Sequence, residues 1–228
     1  AVTSLRVTIF KASASFLRRA TRDPTQAAWL ARQSLCSRLR VACSCGEPLA
    51  PSLQQLGMAA VCPTYMNAYW ASEHGAIALG HLYGTADAPL SADARMRAMP
   101  WVEAQVWVPL TDRPGESRTR RRVATTAGGG SEQGRLVVTQ PWPGMARTIW
   151  GDAANVGTPG WKGDNKAYAA AYWCGYADEE GRPLLGFDLG DLATAWPDGS
   201  FSVSGRSPEM LKVGGLAVSA AEVEATLL

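Results

Sequence analysis

The chain has 228 residues, of which 46% are hydrophobic and 18% are charged, and its formal net charge is +2. This length predicts one large domain or two small ones, and the composition predicts a packed core. So small a net charge gives no reason to expect a nucleic-acid surface, and no apolar run approaches the ~20 residues of a membrane-spanning helix. We therefore expect neither nucleic acid nor a membrane among its partners.

The five cysteines form an odd set, which predicts reduced thiols in a cytoplasmic compartment. A zinc site would have to draw on Cys43, Cys45, Cys62, His74 and His81. Cys43 and Cys45 would share one face of a strand, but no second pair of ligands completes a site. We therefore reject zinc and interpret the cysteines as buried structural thiols.

The first ninety residues alternate between strand-like and helix-like patterns. In chain order we predict a strand at 7–10, a helical stretch over 16–35 interrupted near Asp23-Pro24, a strand at 39–43, a helix at 51–58 with proline in its first turn, and a strand approached through 62–66 that ends at Tyr69-Trp70. Strands and helices alternating at this spacing favour part of a parallel sheet.

From about Trp101 the pattern changes to half-buried strands, predicted at 102–108, 135–139 and 201–204, the last behind a turn at 197–199. The polar segment 112–134 carries Arg118, three further arginines at 120–122, and three glycines at 128–130. It could be a basic phosphate-binding loop or a solvated hairpin insertion. We favour the hairpin because no Gly-Lys-Ser/Thr follows the glycines. A helix is predicted to begin at 220–228.

Six stretches in chain order carry a more specific signal. They are 7–18, Gly46-Glu-Pro-Leu-Ala-Pro51, Tyr69-Trp-Ala-Ser-Glu-His-Gly-Ala-Ile77, the W-P-G-x-x-R-T-x-x-G-D stretch at 142–152, Gly190-Asp191, and 204–224. This series resembles the AMP-forming acyl-CoA synthetases over nearly the whole chain, closest to the acetyl- and propionyl-CoA synthetase branch. The stretch at 142–152 is specific to that branch, whereas Gly-Asp alone would carry no weight.

The resemblance implies an α/β fold like the large domain of adenylate-forming enzymes. Residues 1–95 would form part of a parallel α/β sheet subdomain, and 96–205 a β-rich subdomain of distorted-barrel type. Residues 206–228 would form the hinge and the start of a C-terminal lid. The sequence begins at Ala1 with no charged-then-apolar leader, and we expect no signal peptide and a chain that is part of a longer, cytoplasmic polypeptide.

The resemblance also implies a nucleotide site. The positions it assigns to nucleotide binding are Gly46, Glu47 and Pro48 against the adenine, Asp191 on the ribose hydroxyls, Arg206 near ribose and phosphate, and Gly214 and Gly215. Ser72 and Glu73 stand at the family's Thr-Glu, where the hydroxyl meets the α-phosphate and the carboxylate holds Mg²⁺. Ser72, Glu73 and Arg206 would therefore be catalytic. A carboxylate oxygen suits a hard cation beside phosphates.

An acyl pocket follows from the same resemblance. Trp70 occupies the position where a tryptophan shortens the pocket in enzymes for two- and three-carbon acids, and Ala12 and Cys45 would line it. Each residue alone has a plainer interpretation: Trp70 as a core aromatic, Glu73 as a solvated charge and Asp191 as a turn residue. Their joint order favours the site.

The implied reaction joins a short-chain carboxylate, acetate or propionate, to AMP from ATP with Mg²⁺, and then to CoA. The family's phosphate loop would lie upstream and its lysine-bearing lid downstream, so we expect these 228 residues alone to be inactive and to work with the rest of the domain and lid. Leu189, Ala71, Ala217 and Pro208 depart from the family pattern. The alternative is therefore a degenerate, non-catalytic domain with a structural or interaction role.

Overall fold

A computed structural model describes residues 4–32, 38–82, 89–110, 121–124, 129–148, 165–206, 211–213, 216–218 and 223. Its elements, in chain order, are β1 (Ile9–Ala12), α1 (Ala14–Thr21), α2 (Pro24–Arg32), β2 (Val41–Cys45), α3 (Pro51–Ala60), β3 (Tyr65–Trp70), β4 (Ile77–Gly80), β5 (Arg97–Ala98), β6 (Ala104–Pro109), β7 (Arg121–Val123), β8 (Glu132–Val138), α4 (Asn165–Tyr172), β9 (Trp173–Ala177), β10 (Pro183–Ala195), β11 (Phe201–Arg206), β12 (Leu211–Val213) and β13 (Leu216–Val218). None of the helices in these ranges is both long and apolar enough to cross a bilayer.

The first sheet has the strand order β1-β2-β3-β4-β5. Its first three strands are parallel, as predicted, and β4 and β5 add to it in antiparallel fashion. One face is covered by the helices, with Leu17 of α1 and Leu53 of α3 in a buried cluster with Ala42 and Tyr65. The other face carries the side chains that alternate with these, because successive strand residues point to opposite sides.

The predicted helix interruption is confirmed, and its physical cause is a capping carboxylate. Asp23 Oδ1 accepts hydrogen bonds from the Thr25 backbone N–H (2.8 Å) and hydroxyl (2.6 Å), and Pro24 opens α2. Strands β1 and β2 lie two residues later than predicted, because they pair with each other in the register Ile9↔Val41 and α1 starts directly after β1.

The second sheet has the order β11-β10-β8-β6-β7, with β9 paired to the first half of β10, and all its pairings are antiparallel. It packs against the first sheet through a buried cluster that joins Leu79 of β4 to Val106, Leu136 and Ala193. The predicted strands at 102–108, 135–139 and 201–204 correspond to β6, β8 and β11. The predicted turn is present, with Gly199 donating to the Trp196 carbonyl oxygen at 3.0 Å.

The hairpin interpretation of the arginine-rich segment is supported where it is described, since β7 pairs with β6. Arg122 forms an ion pair with Glu132, with an Nη2–Oε1 distance of 2.5 Å. Arg118 and Arg120, the glycine at 128 and nearly all of the helix predicted at 220–228 lie outside the described residues.

Candidate active site

A cavity of about 340 Å³ lies where the carboxyl ends of β2 and β3 meet β10 and β11. Such crevices beyond the carboxyl ends of parallel strands are where α/β folds bind ligands. Six of the residues predicted from the sequence line this cavity: Gly46, Glu47, Pro48, Trp70, Asp191 and Arg206. The structure therefore brings together residues that are up to 160 positions apart in the chain.

Glu47 anchors the loop after β2 to the first turn of α1. Its carboxylate accepts hydrogen bonds from the Ser15 backbone N–H at 2.9 Å and from the Ser15 hydroxyl at 2.5 Å. Burial alone would raise the pKa of Glu47, but these bonds and the charge of Arg18 lower it overall. A carboxylate at a helix N-terminus is stabilising, so Glu47 holds the loop against α1. Gly46, just before it, has a φ of +96°.

Asp191 is buried and has a partner on each side. The Tyr69 hydroxyl donates to Oδ2 at 2.5 Å, and Arg206 Nε lies 3.8 Å from Oδ1, across the β10–β11 register that pairs the two residues. Burial and the negative charge of Asp191 both raise the pKa of Tyr69, so the phenol remains a donor. The Arg206 side chain is 56% exposed and lines the cavity.

Asp188 forms a clamp directly beneath this carboxylate. It accepts hydrogen bonds from Arg135 Nε (3.0 Å), the Tyr176 hydroxyl (2.6 Å) and the Gly190 N–H (2.7 Å), while Arg135 Nη1 donates to the Gly190 carbonyl oxygen at 2.8 Å. Gly190 has a φ of +94°, and the register of β10 shifts against both neighbouring strands, between Asp188 and Leu192 against β8 and between Leu192 and Ala193 against β11. The clamp thus fixes the irregularity that places Asp191. Sequence patterns did not identify any of its three side chains.

Ser72 and Glu73 lie in the turn after β3 and do not line the cavity. The turn is closed by a hydrogen bond from the Gly75 N–H to the Ser72 carbonyl oxygen, and the Glu73 carbonyl oxygen accepts one from the Ala146 N–H at 2.9 Å. The Glu73 side chain is half-buried, with a long contact of 3.4 Å from the Tyr172 hydroxyl. The backbone of Glu73 is therefore tied to the segment 142–146, and its carboxylate lies beside Tyr172 of α4.

The three residues predicted for the acyl pocket are not on one face of the sheet. Cys45 and Trp70 belong to the face opposite the helices, whereas the register Ala12↔Ser44↔Asn67 puts Ala12 on the helix-covered face. Next to Ala12 on β1, the residue on the face of Trp70 is Lys11, whose Nζ lies 4.0 Å from the centroid of the Trp70 ring. The sequence resemblance carries no role for this residue.

His74 is buried in an aromatic environment beside the turn. Its ring packs at 5.4–5.6 Å, centroid to centroid, from those of Tyr69, Trp142 and Phe187. Its Nδ1 atom and Trp142 Nε1 find no hydrogen-bond partner among the described residues. Burial lowers the pKa of His74 to about 4, against the opposing effect of Glu73. The imidazole is therefore neutral at pH 7.

This depressed pKa makes the fold sensitive to acid. Between the ordinary histidine pKa of about 6.5 and the folded value of about 4, the unfolded chain binds the proton and the folded chain does not, so stability falls as pH is lowered. We expect His74 to account for a loss of about 2 kcal/mol between pH 7.5 and pH 5. In His74→Phe this part of the pH-dependent loss of stability should disappear. Urea unfolding of wild type and variant at the two pH values measures it.

His81 provides the matched control because it is only half-buried, and burial lowers its pKa in the same direction. His81→Phe should change the pH dependence less than His74→Phe does. Parallel loss of stability in wild type and His74→Phe would contradict the burial of a neutral imidazole.

No family model matches the chain. The acetyl-coenzyme A synthetase of Streptomyces coelicolor is 31% identical over 196 residues, which cover 84% of this chain and 25% of that protein. The acetyl-coenzyme A synthetase of Pyrobaculum aerophilum is 28% identical over 227 residues, which cover 97% of this chain and 28% of that protein.

The chain belongs to the AMP-forming acyl-CoA synthetase family. It spans about a quarter of the length of the curated relatives it matches. Two solved structures share its fold. ATP-bound MatB from Rhodopseudomonas palustris superposes with a TM-score of 0.61 at 17% identity, covering 99% of this chain and 37% of MatB. The anthranilate CoA ligase AuaEII, in complex with anthranoyl-AMP, superposes with a TM-score of 0.60 at 22% identity. The match covers 99% of this chain and 35% of AuaEII. The α/β sheet followed by a β-rich sheet, predicted for this family, is confirmed.

Proposed function

We propose that this chain carries the nucleotide and acyl sites of a short-chain acyl-CoA synthetase. The reaction joins a carboxylate of two or three carbons, acetate or propionate, to AMP with release of pyrophosphate, and then transfers the acyl group to CoA. The observation that supports this most is the convergence of the loop 46–48, Trp70, Asp191 and Arg206 on one cavity of about 340 Å³.

The residues around the cavity suit a nucleoside phosphate. Asp191 presents a carboxylate that can accept from both hydroxyls of a ribose, and Tyr69 holds its rotamer by donating to Oδ2. Arg206 offers a guanidinium for ribose and phosphate oxygens. The backbone of 46–48 lies against the same space and would pack on the adenine. In this arrangement catalysis comes from positioning and from electrostatic stabilisation at the α-phosphate.

A magnesium ion fits this donor set. Glu73 is half-buried and, among the residues that the structure describes, its carboxylate has only the long contact with Tyr172, so lone pairs remain for a metal ion. Mg²⁺ in nucleotide sites takes one or two protein carboxylates and completes its shell with phosphate oxygens and water. When bound, the ion would neutralise charge on the triphosphate. Glu73 would hold it, and the exposed Ser72 hydroxyl would donate to the α-phosphate.

The rest of the machinery would come from further parts of a longer, cytoplasmic polypeptide. We propose that residues 1–95 and 96–205 are parts of its adenylating domain and that 206–228 begin its lid. A phosphate loop and a lysine-bearing lid would complete the catalyst. Pro208, Gly214 and Gly215 lie outside the described residues, and the positions of the two glycines remain part of this proposal.

One observation favours the alternative of a degenerate domain. Leu189, which stands where the family has threonine, packs with Tyr172 and Phe187 in an apolar cluster. A hydroxyl next to the ribose carboxylate is thereby replaced by a core contact. The retained Glu73, Asp191 and Arg206 favour the active enzyme.

The experiment is acid-dependent ATP–pyrophosphate exchange by the full-length protein across a series of acids from two to six carbons. Wild type should use acids of two or three carbons best. Trp70→Gly should shift the ratio of hexanoate to propionate activity by 10-fold or more, since a pocket discriminates each methylene by about 1–3 kcal/mol.

Trp101→Gly is the matched control for this shift. Trp101 is 52% exposed and Trp70 41%, but Trp101 does not line the cavity, so the acid preference should stay at that of wild type. Absence of exchange with every acid in wild type would favour the degenerate domain. Exchange with an unchanged length preference in Trp70→Gly would show that Trp70 does not limit the acyl pocket.

A further inference from the structure

A buried alanine beside the cavity has a left-handed backbone conformation. Ala94 stands two residues before Met96, which lines the cavity, and its φ is +57°. This conformation is unfavourable for an L-residue with a Cβ atom, and it persists only where the surrounding structure imposes it. Ala94 is 5% exposed, so the groups that impose it are those bound to its backbone.

Two side-chain amides bind both polar groups of the Ala94 backbone. Gln54 Oε1, from α3, accepts a hydrogen bond from the Ala94 N–H at 2.6 Å, and Asn67 Nδ2, from β3, donates to the Ala94 carbonyl oxygen at 2.9 Å. Gln54 is fully buried, and its Nε2 donates to the Tyr65 carbonyl oxygen at 3.1 Å. Because both ends of the Gln54 amide are paired, Gln54 ties the backbone of Ala94 to strand β3.

Asn67 is the part of this network that reaches the cavity. It is 6% exposed and lines the cavity wall. Its Nδ2 is committed to the Ala94 carbonyl oxygen, and its Oδ1 has no partner among the described residues. An amide oxygen accepts hydrogen bonds and donates none. The atom that Asn67 has left for a ligand is therefore an acceptor, and the ligand group that pairs with it must be a donor.

We propose that Gln54 is a positioning residue for recognition of the nucleotide base. It holds Ala94, Ala94 orients the Asn67 amide, and Asn67 Oδ1 accepts a hydrogen bond from an amino group of the base. This inference rests on the proposed function, because it assumes that the cavity takes the base. Adenine carries an amino group at C6, whereas hypoxanthine has a carbonyl oxygen there. Two oxygens facing each other would both lack a hydrogen bond, so the cavity selects the aminopurine.

AMP and inosine monophosphate isolate this contact, because they share ribose and phosphate and differ only at C6 and in the proton on N1. Their binding to the full-length protein is measured by isothermal titration without acid or metal. We expect AMP to bind at least about 10-fold more tightly. Asn67→Leu should abolish this preference, and Gln54→Leu should remove most of it. A purely structural role of Gln54 would weaken both nucleotides equally and leave their ratio unchanged.

Gln55→Leu is the matched control, because Gln55 is the next residue of α3, is exposed and has only a long contact of 3.4 Å with the Ala92 carbonyl oxygen. It should keep the preference of wild type. If Gln54→Leu does not fold, the titration is made on Gln54→Leu combined with Ala94→Gly, because glycine adopts a left-handed φ without support. Ala94→Gly alone should keep the preference, since both amides bind backbone atoms.

Three results would each overturn the inference: equal binding of the two nucleotides by wild type, no measurable binding of either, or an unchanged preference in a folded Asn67→Leu or Gln54→Leu variant. Acid-dependent ATP–pyrophosphate exchange tests the proposed function separately on the same preparations. A preference for AMP without exchange would retain the role of Gln54 in an inactive domain. Exchange by a protein that binds both nucleotides alike would retain the synthetase and remove the role of Gln54.

Discussion

Gly75→Ala is expected to destabilise the protein by more than about 4 kcal/mol, the range reached when a substitution has no room to be accommodated. Gly75 has a φ of +68°, and a Cβ atom there would lie 1.8 Å from the carbonyl oxygen of Gly144 and 2.8 Å from its carbonyl carbon. Both neighbours are backbone atoms, so no side chain can move aside. Urea unfolding of wild type and variant measures the loss.

Gly181→Ala separates the clash from the backbone strain. Gly181 has a φ of +79° but nothing within 4 Å of the added Cβ, so this variant should lose only the roughly 1–2 kcal/mol of a left-handed alanine. Similar losses in the two variants would mean that the approach of Gly144 to Gly75 is not close. The turn carrying Ser72 and Glu73 would then not be held by the W-P-G segment.

The second large effect is expected at the clamp beneath the proposed ribose carboxylate. Asp188→Ala should destabilise the protein by about 3–5 kcal/mol, because it leaves a half-buried arginine and two hydrogen-bond donors without their acceptor. The Asp188 side chain is fully buried and Arg135 is 26% exposed. Nucleotide affinity should fall as well, because the clamp fixes the backbone next to Asp191. Urea unfolding and AMP titration measure the two effects.

Glu180→Ala is the control for the Asp188 substitution. Glu180 pairs with Arg182 at 3.0 Å, and both side chains are more than 60% exposed, so removing this pair should change stability by less than about 1 kcal/mol. A loss of stability at Asp188 with unchanged AMP affinity would show that Asp191 keeps its position without the clamp.

The site owes its geometry to two different supports. The proposed adenine side is a loop tied to α1 through Glu47 and Ser15, and the proposed ribose side is an irregular strand tied to β8 and β9 through Asp188. The first support joins residues 32 positions apart and the second joins residues 53 positions apart. Substitutions at either support should therefore alter binding without touching the ligand.

The sequence by itself determined the family, the class of fold and six of the thirteen residues that line the cavity. The order of its motifs, from the Gly-Glu-Pro loop to Gly190-Asp191, was sufficient for the family, and the alternation of strand and helix patterns was sufficient for the parallel sheet. The helix break at Asp23 was predictable because proline and a capping carboxylate act within three residues.

Only the tertiary structure decided β10, the clamp and the surroundings of Trp70. Strand β10 was not predicted because Gly186, Asp188, Gly190 and Asp191 are residues typical of turns, and what keeps them extended is pairing with β8, β9 and β11. The face on which a strand residue lies depends on register, and a shift of one residue reverses it. That is why Lys11 rather than Ala12 shares a face with Trp70, which no local pattern in the sequence could reveal.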